Sequence, residues 1–148
     1  MTPSSSPSYA GDITPKEAWD LLVATPAAQL VDVRTLAEWS FVGLPDLSQL
    51  RRQVHCIEWQ SFPEGAVNPG FAAEAAAAVT AAGADKDSPV LMLCRSGARS
   101  RAAAIALTAQ GFTRAYNVAG GFEGDCDGNR HRGLTNGWKA DGLAWRQS

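Results

Sequence analysis

Four short apolar runs punctuate the chain, separated by segments of helical or irregular character. Leu30-Val31-Asp32-Val33, Val54-His55-Cys56-Ile57, Val90-Leu91-Met92-Leu93 and Ala115-Tyr116-Asn117-Val118 read as strands. Thr14-Pro15-Lys16-Glu17 predicts a helix start, with a Thr cap, Pro in the first turn and Glu three residues on. That helix should reach about Ala24 and bury Ala18, Leu21 and Leu22. The stretch from Phe71 to Val79 is rich in alanine and reads as helical, as does the stretch from Ser100 to Leu107. A brief helical turn is predicted near Ala37-Glu38-Trp39, an irregular stretch around Gly43-Leu44-Pro45, and a Pro/Gly loop from Pro63 to Gly70. Strands alternating with helices imply right-handed crossovers and a mostly parallel sheet covered on both faces. The pattern is therefore α/β.

Length and charge narrow the picture. The chain has 148 residues, the size of one domain. It is 45 % hydrophobic and 19 % charged, a balance that suits a folded globular protein. Residues 1–10 read as a flexible polar tail, without the basic start and apolar core of a signal peptide, and 11–148 as the domain. A net charge of −2 offers no general attraction to nucleic acid or to anionic membranes, and no segment has the length of a membrane span. Positive charge is concentrated at 95–101 and 130–132. The three cysteines, Cys56, Cys94 and Cys126, include no CxxC pair, which is a reducing-compartment pattern and points to the cytoplasm. No His/Cys cluster has metal-ligand spacing, so no metal is expected.

The chemistry concentrates at one junction. Cys94 ends the apolar run at Leu93 and starts Cys94-Arg95-Ser96-Gly97-Ala98-Arg99-Ser100-Arg101, which leads into a helix. A cysteine there would lie at a helix N-terminus, where unpaired N–H groups and the helix dipole favour negative charge. The arginines add full positive charges, and the surroundings are those of a nucleophile rather than of an inert packing cysteine. Ligand sites on parallel sheets lie outside the carboxyl ends of the strands, which is where Cys94 falls.

The chain resembles the single-domain rhodaneses, a sulfurtransferase family. The resemblance rests on the Asp32-Val33-Arg34 strand end, Glu38-Trp39, Leu44-Pro45, the Cys94-Arg95-Ser96-Gly97-Ala98-Arg99 loop, Gly120-Gly121-Phe122, and Trp138 followed by Gly142-Leu143. It implies a central, mostly parallel five-stranded sheet with helices on both faces. It also implies a ping-pong reaction in which Cys94 takes a sulfane sulfur from a small anionic donor such as thiosulfate. The resulting persulfide would pass its outer sulfur to cyanide, a thiol or a partner protein, with no metal or organic cofactor. Arg95, Ser96, Gly97, Ala98 and Arg99 would form the binding loop, with the arginines attracting the donor, Ser96 donating a hydrogen bond, and Gly97 supplying an unusual backbone angle. Arg99 would touch substrate or pair with a carboxylate beneath the loop. Asp32, Arg34 and Glu38 would support the loop, Glu38 as partner of a loop arginine.

Two features depart from the family pattern. Val42-Gly43-Leu44-Pro45-Asp46-Leu47 lacks a histidine common there, and a polar, glycine-rich insertion at about 124–137 separates the Gly-Gly turn from Trp138. Asp125-x-Asp127-x-Asn129 starts like a calcium loop but has Arg130 and Asn136 where Gly and Glu are needed. Arg130-His131-Arg132 reads as a solvated basic patch or a recruiter of anions, and Cys126 as a loop cysteine or a resolving thiol. The rival functions are a cysteine phosphatase or arsenate reductase, and a persulfide carrier or binding module serving a partner protein. Four residues separate Cys94 from Arg99, one fewer than in phosphatases of related fold, which favours sulfur over phosphate.

Overall fold

Thr14 opens its helix as the sequence predicts. In the computed structural model, which describes residues 9–60, 67–126, 128–132 and 135–147, Thr14 Oγ1 accepts the Glu17 N–H at 3.1 Å. Glu17 Oε1 accepts the Thr14 N–H in return at 2.8 Å, closing a capping box on α1 (Pro15–Ala24). A second such box, between Thr35 and Glu38, starts α2 (Leu36–Phe41), so the predicted brief turn is a six-residue helix. Helices α3 (Phe71–Ala81) and α4 (Ala98–Ala109) follow the two alanine-rich segments.

The strands are β1 (Gly11–Ile13), β2 (Gln29–Asp32), β3 (Leu44–Pro45), β4 (His55–Cys56), β5 (Val90–Leu93), β6 (Ala115–Val118) and β7 (Trp145–Arg146). Five of them form one sheet in the order β1-β6-β5-β2-β4 with every pairing parallel. β3 and β7 pair antiparallel as a separate ribbon. Ala10 N–H also bonds Ala115 O at 2.9 Å, so the chain joins the sheet edge just before β1. Met1 to Ser8, most of the predicted tail, lie outside the described residues, as do 61–66, which include the first four positions of the predicted Pro/Gly loop.

The sheet separates two cores, and strand alternation decides which residue joins which. Val31, Val33, Val90, Met92 and Cys94 face α3 and α4, where Phe71, Val79, Ala103 and Leu107 meet them. Leu30, Leu91 and Leu93 face the other way, onto Ala18 and Leu22 of α1, Phe122 and Trp138. β2 and β5 are buried on both faces, which is why they read as continuous apolar runs rather than alternating ones. Each fully buried Leu or Val there contributes about 1.5–3 kcal/mol relative to exposure. Among the described residues no helix is long and apolar enough to cross a membrane.

Candidate active site

β5 delivers Cys94 to the carboxyl end of the sheet, on the face that α4 covers. The chain then turns at Gly97, whose φ of 122° is one that side chains oppose, and enters α4 directly. The Gly97 N–H donates to Cys94 Sγ at 3.1 Å. No side chain caps α4, so the positive end of its dipole lies open at the sulfur. Cys94 is only 1 % exposed, which restricts its partners to small reacting atoms.

The hydroxyl at the sulfur belongs to Ser100, not to Ser96 as expected: Ser100 Oγ lies 3.2 Å from Cys94 Sγ. Gly97 caps the helix, so Ser100 is its third residue, and helical side chains lean back toward the N-terminus. That direction carries the buried Ser100 hydroxyl under the loop. It also lies within hydrogen-bond reach of Gly97 O, at 3.1 Å, and of Asn117 Oδ1 on β6. Asn117 was likewise not singled out by the sequence, although a polar residue in a buried strand is itself a signal.

Glu38 and Arg99 meet as anticipated. Arg99 Nη1 and Nη2 donate to the two Glu38 carboxylate oxygens at 2.7 and 2.9 Å, a bidentate pair with both side chains largely buried. Burial opposes ionisation of Glu38. The Arg99 hydrogen bond and charge, with the Thr35 N–H, outweigh it and hold the carboxyl below its ordinary value. Of the two readings of Arg99, the carboxylate pair is the one observed.

Asp32 and Arg34 require a correction, because they do not reach the Cys94 loop. Parity along β2 puts them on the face opposite Cys94. Arg34 Nη2 donates to Asp32 Oδ2 and to Gly43 O, both at 2.7 Å, and its guanidinium stacks 4.3 Å from the Phe122 ring centre. The fully buried pair therefore ties the entry to β3 to the turn at Phe122.

That turn is the structural neighbour of the Cys94 backbone. Phe122 N–H donates to Cys94 O at 2.7 Å, and the N–H groups of Glu123 and Gly124 donate to Arg95 O. A Cβ at Gly121 would collide with Cys94 O and lie 2.6 Å from Arg95 O, so only glycine allows this approach. The insertion emerges next to the loop. Its neck is closed by Asp125 N–H on Asn136 Oδ1 at 2.8 Å and by Arg132 Nη1 on Gly124 O at 2.7 Å. Asp127 of the calcium-like run is not among the described residues.

Arg95 is exposed beside Cys94, Ser96 and Gly97 are half-buried, and Ala98 is exposed. Cys126 is exposed on the insertion. Cys56, at the end of β4, is exposed as a residue. Local desolvation first, and the Asp32 charge second, nonetheless push its thiol up to about 11.

The comparisons with known proteins accord with this geometry. Residues 14–126 match the Rhodanese-like domain. The chain belongs to the rhodanese-like family. A crystal structure of Rv0390 from M. tuberculosis is 50 % identical, with a TM-score of 0.82 over 95 % of this chain and all of that one. An uncharacterised protein of Rickettsia conorii is 35 % identical over 91 % of this chain and 96 % of its own length. The thiosulfate sulfurtransferase GlpE of Actinobacillus succinogenes is 33 % identical over 76 % of this chain and 81 % of its own. The solution structure of a polysulfide-sulfur transferase homodimer from Wolinella succinogenes aligns with 93 % of this chain and 78 % of that one, at 25 % identity and a TM-score of 0.57. The rhodanese-like fold, with its five-stranded parallel sheet, is thus shown.

Proposed function

We propose that this rhodanese-like protein is a sulfurtransferase whose acceptor atom is Cys94 Sγ. The supporting observation is the sulfur's position: buried, receiving the Gly97 N–H, beside the Ser100 hydroxyl, at the uncapped start of α4. In the first half-reaction the Cys94 thiolate attacks the outer sulfur of thiosulfate. The sulfur–sulfur bond of the donor breaks and sulfite leaves with the electron pair. In the second, cyanide, a thiol or a partner protein's thiol attacks the outer sulfur of the persulfide, and Cys94 leaves as thiolate. Loop N–H groups and the helix end stabilise the anionic sulfur in both states. Of the two arginines in the Cys94–Arg99 loop, Arg99 is bound to Glu38, and Arg95, whose side chain has no partner among the described residues, draws in the donor. Arg99 and Glu38 hold the loop in shape.

A tight sulfur site with four residues between Cys94 and Arg99 supports this reading over phosphate-ester chemistry. Polysulfide, after which the Wolinella succinogenes transferase is named, is the second donor to try. Steady-state assays with thiosulfate and cyanide test the proposal. Parallel double-reciprocal lines are expected, with loss of turnover by at least about a thousandfold in Cys94→Ala. Retained turnover in that variant contradicts it.

A further inference from the structure

The Ser100 hydroxyl has one proton and three acceptors around it. Asn117 Oδ1, Gly97 O at 3.1 Å and Cys94 Sγ at 3.2 Å all lie within reach. The two oxygens can only accept, whereas the sulfur donates as a thiol and accepts as a thiolate or persulfide. Which neighbour holds the proton therefore depends on the state of Cys94 and on how strongly Asn117 competes for it.

Asn117 is not free to choose its orientation. In the sheet register Asp12 of β1 lies directly opposite Asn117 of β6, so the two side chains share a face. Asn117 Nδ2 donates to Asp12 Oδ1 at 3.0 Å. An ionised carboxylate cannot donate, so it forces the amide nitrogen toward itself and the amide oxygen toward Ser100. The Tyr9 hydroxyl donates to the same Asp12 oxygen at 2.8 Å and steadies it. A carboxylate at an exposed sheet edge is thus linked to a sulfur in the core through a carboxamide and one hydroxyl.

We propose that Asp12 and Asn117 are positioning residues that set the direction of the Ser100 proton and thereby tune Cys94. In the thiol state the Cys94 S–H points to Ser100 Oγ, and the Ser100 proton points to Asn117 Oδ1. When Cys94 loses its proton to solvent, or carries an outer sulfur as persulfide, the hydroxyl turns and donates to the sulfur. Asn117 Oδ1 then gives up that bond. Because Asp12 keeps the amide oxygen aimed at Ser100, turning the hydroxyl to the sulfur costs the bond to Asn117 and leaves two oxygens facing each other, so the resting pair opposes the anionic sulfur. The relay gains its purpose from the sulfurtransferase reading, but its geometry does not depend on it.

Among the described residues, the charges near this path include Arg95 next to Cys94 in the chain, Arg99 in the first turn of α4, Glu38 on α2, Asp32 on β2, and Arg101 above the Tyr9 ring. No substitution in the test alters them. The test is the pH profile of Cys94 alkylation by iodoacetamide, followed by peptide mass spectrometry so that Cys56 and Cys126 are read separately. It is run at high salt to screen direct charge effects. Asp12→Ala, at an exposed position, should release the amide and speed alkylation about threefold to tenfold at neutral pH, shifting the profile to lower pH. In a Ser100→Ala background the same change should alter the rate less than about twofold, because the path is cut. Asn117→Ala supplies a second background with the same expectation, should Ser100→Ala fail to fold.

An equal Asp12 effect in every background, or none in the wild-type chain, overturns the relay. Alkylation needs no sulfur donor. If the sulfurtransferase reading fails instead, Cys94 forms no persulfide while the ordering of alkylation rates stands.

Discussion

Arg99 commits two guanidinium nitrogens to Glu38, and Glu38 is at once the third residue of the α2 capping box. One carboxylate thus starts a helix and pins the Cys94 loop to it. Glu38→Gln keeps the shape but removes the charge, and should cost about 1–2 kcal/mol in urea unfolding at neutral pH. The pH dependence has a definite sign. The folded carboxyl is held below its ordinary value, so its contribution is fully present above that value and fades as pH falls through the lowered one. Wild type should therefore lose its advantage over Glu38→Gln only in acid, below about pH 4. Arg95 has the opposite profile: its side chain is exposed and makes no hydrogen bond or ion pair among the described residues, so it should matter to the donor and not to stability. Arg95→Ala should raise KM for thiosulfate about tenfold, with the unfolding midpoint unchanged. An unchanged KM would move donor recognition elsewhere on the loop. Cys94 and the loop arginines were legible from residue types and spacing, and Glu38 from the family resemblance. Ser100 was not, because its role comes from the backward lean of a helical side chain and not from a motif position.

At the scale of elements, the contact between the Gly120-Gly121-Phe122 turn and the Cys94 loop fixes the site. Gly121 has a φ of 62°, and its Cβ position is already occupied by Cys94 and Arg95 backbone. Gly121→Ala should lower the melting temperature and displace Cys94, reducing kcat more than a surface change of equal size; wild-type kcat in a folded variant would remove the turn from the account. Long periodic segments were readable, as α1, α3, α4 and the β5 and β6 strands show. β1, β3 and β7 were not, since two or three residues carry no period. Asp32 and Arg34 were misplaced for a related reason: the sheet face they occupy depends on β2 parity relative to Cys94. That is a property of assembled strands.

The whole molecule is a two-sided sheet whose carboxyl edge gathers the loops. One side is closed late in the chain by Trp138, which is fully buried, donates its Nε1–H to Ala144 O at 2.8 Å, and meets Trp19 edge-on at 6.0 Å. Trp138→Ala should cost about 3–5 kcal/mol by urea unfolding, a large share of a domain's stability. The insertion precedes Trp138, so its closed neck allows the chain to leave the Cys94 loop and return in register. The most direct measurement of the central claim is intact mass after thiosulfate treatment, comparing wild type with Cys94→Ser. A gain of one sulfur in wild type alone, removed by cyanide, is the predicted result. A gain in both proteins, or in neither with thiosulfate and polysulfide alike, would contradict sulfur transfer through Cys94.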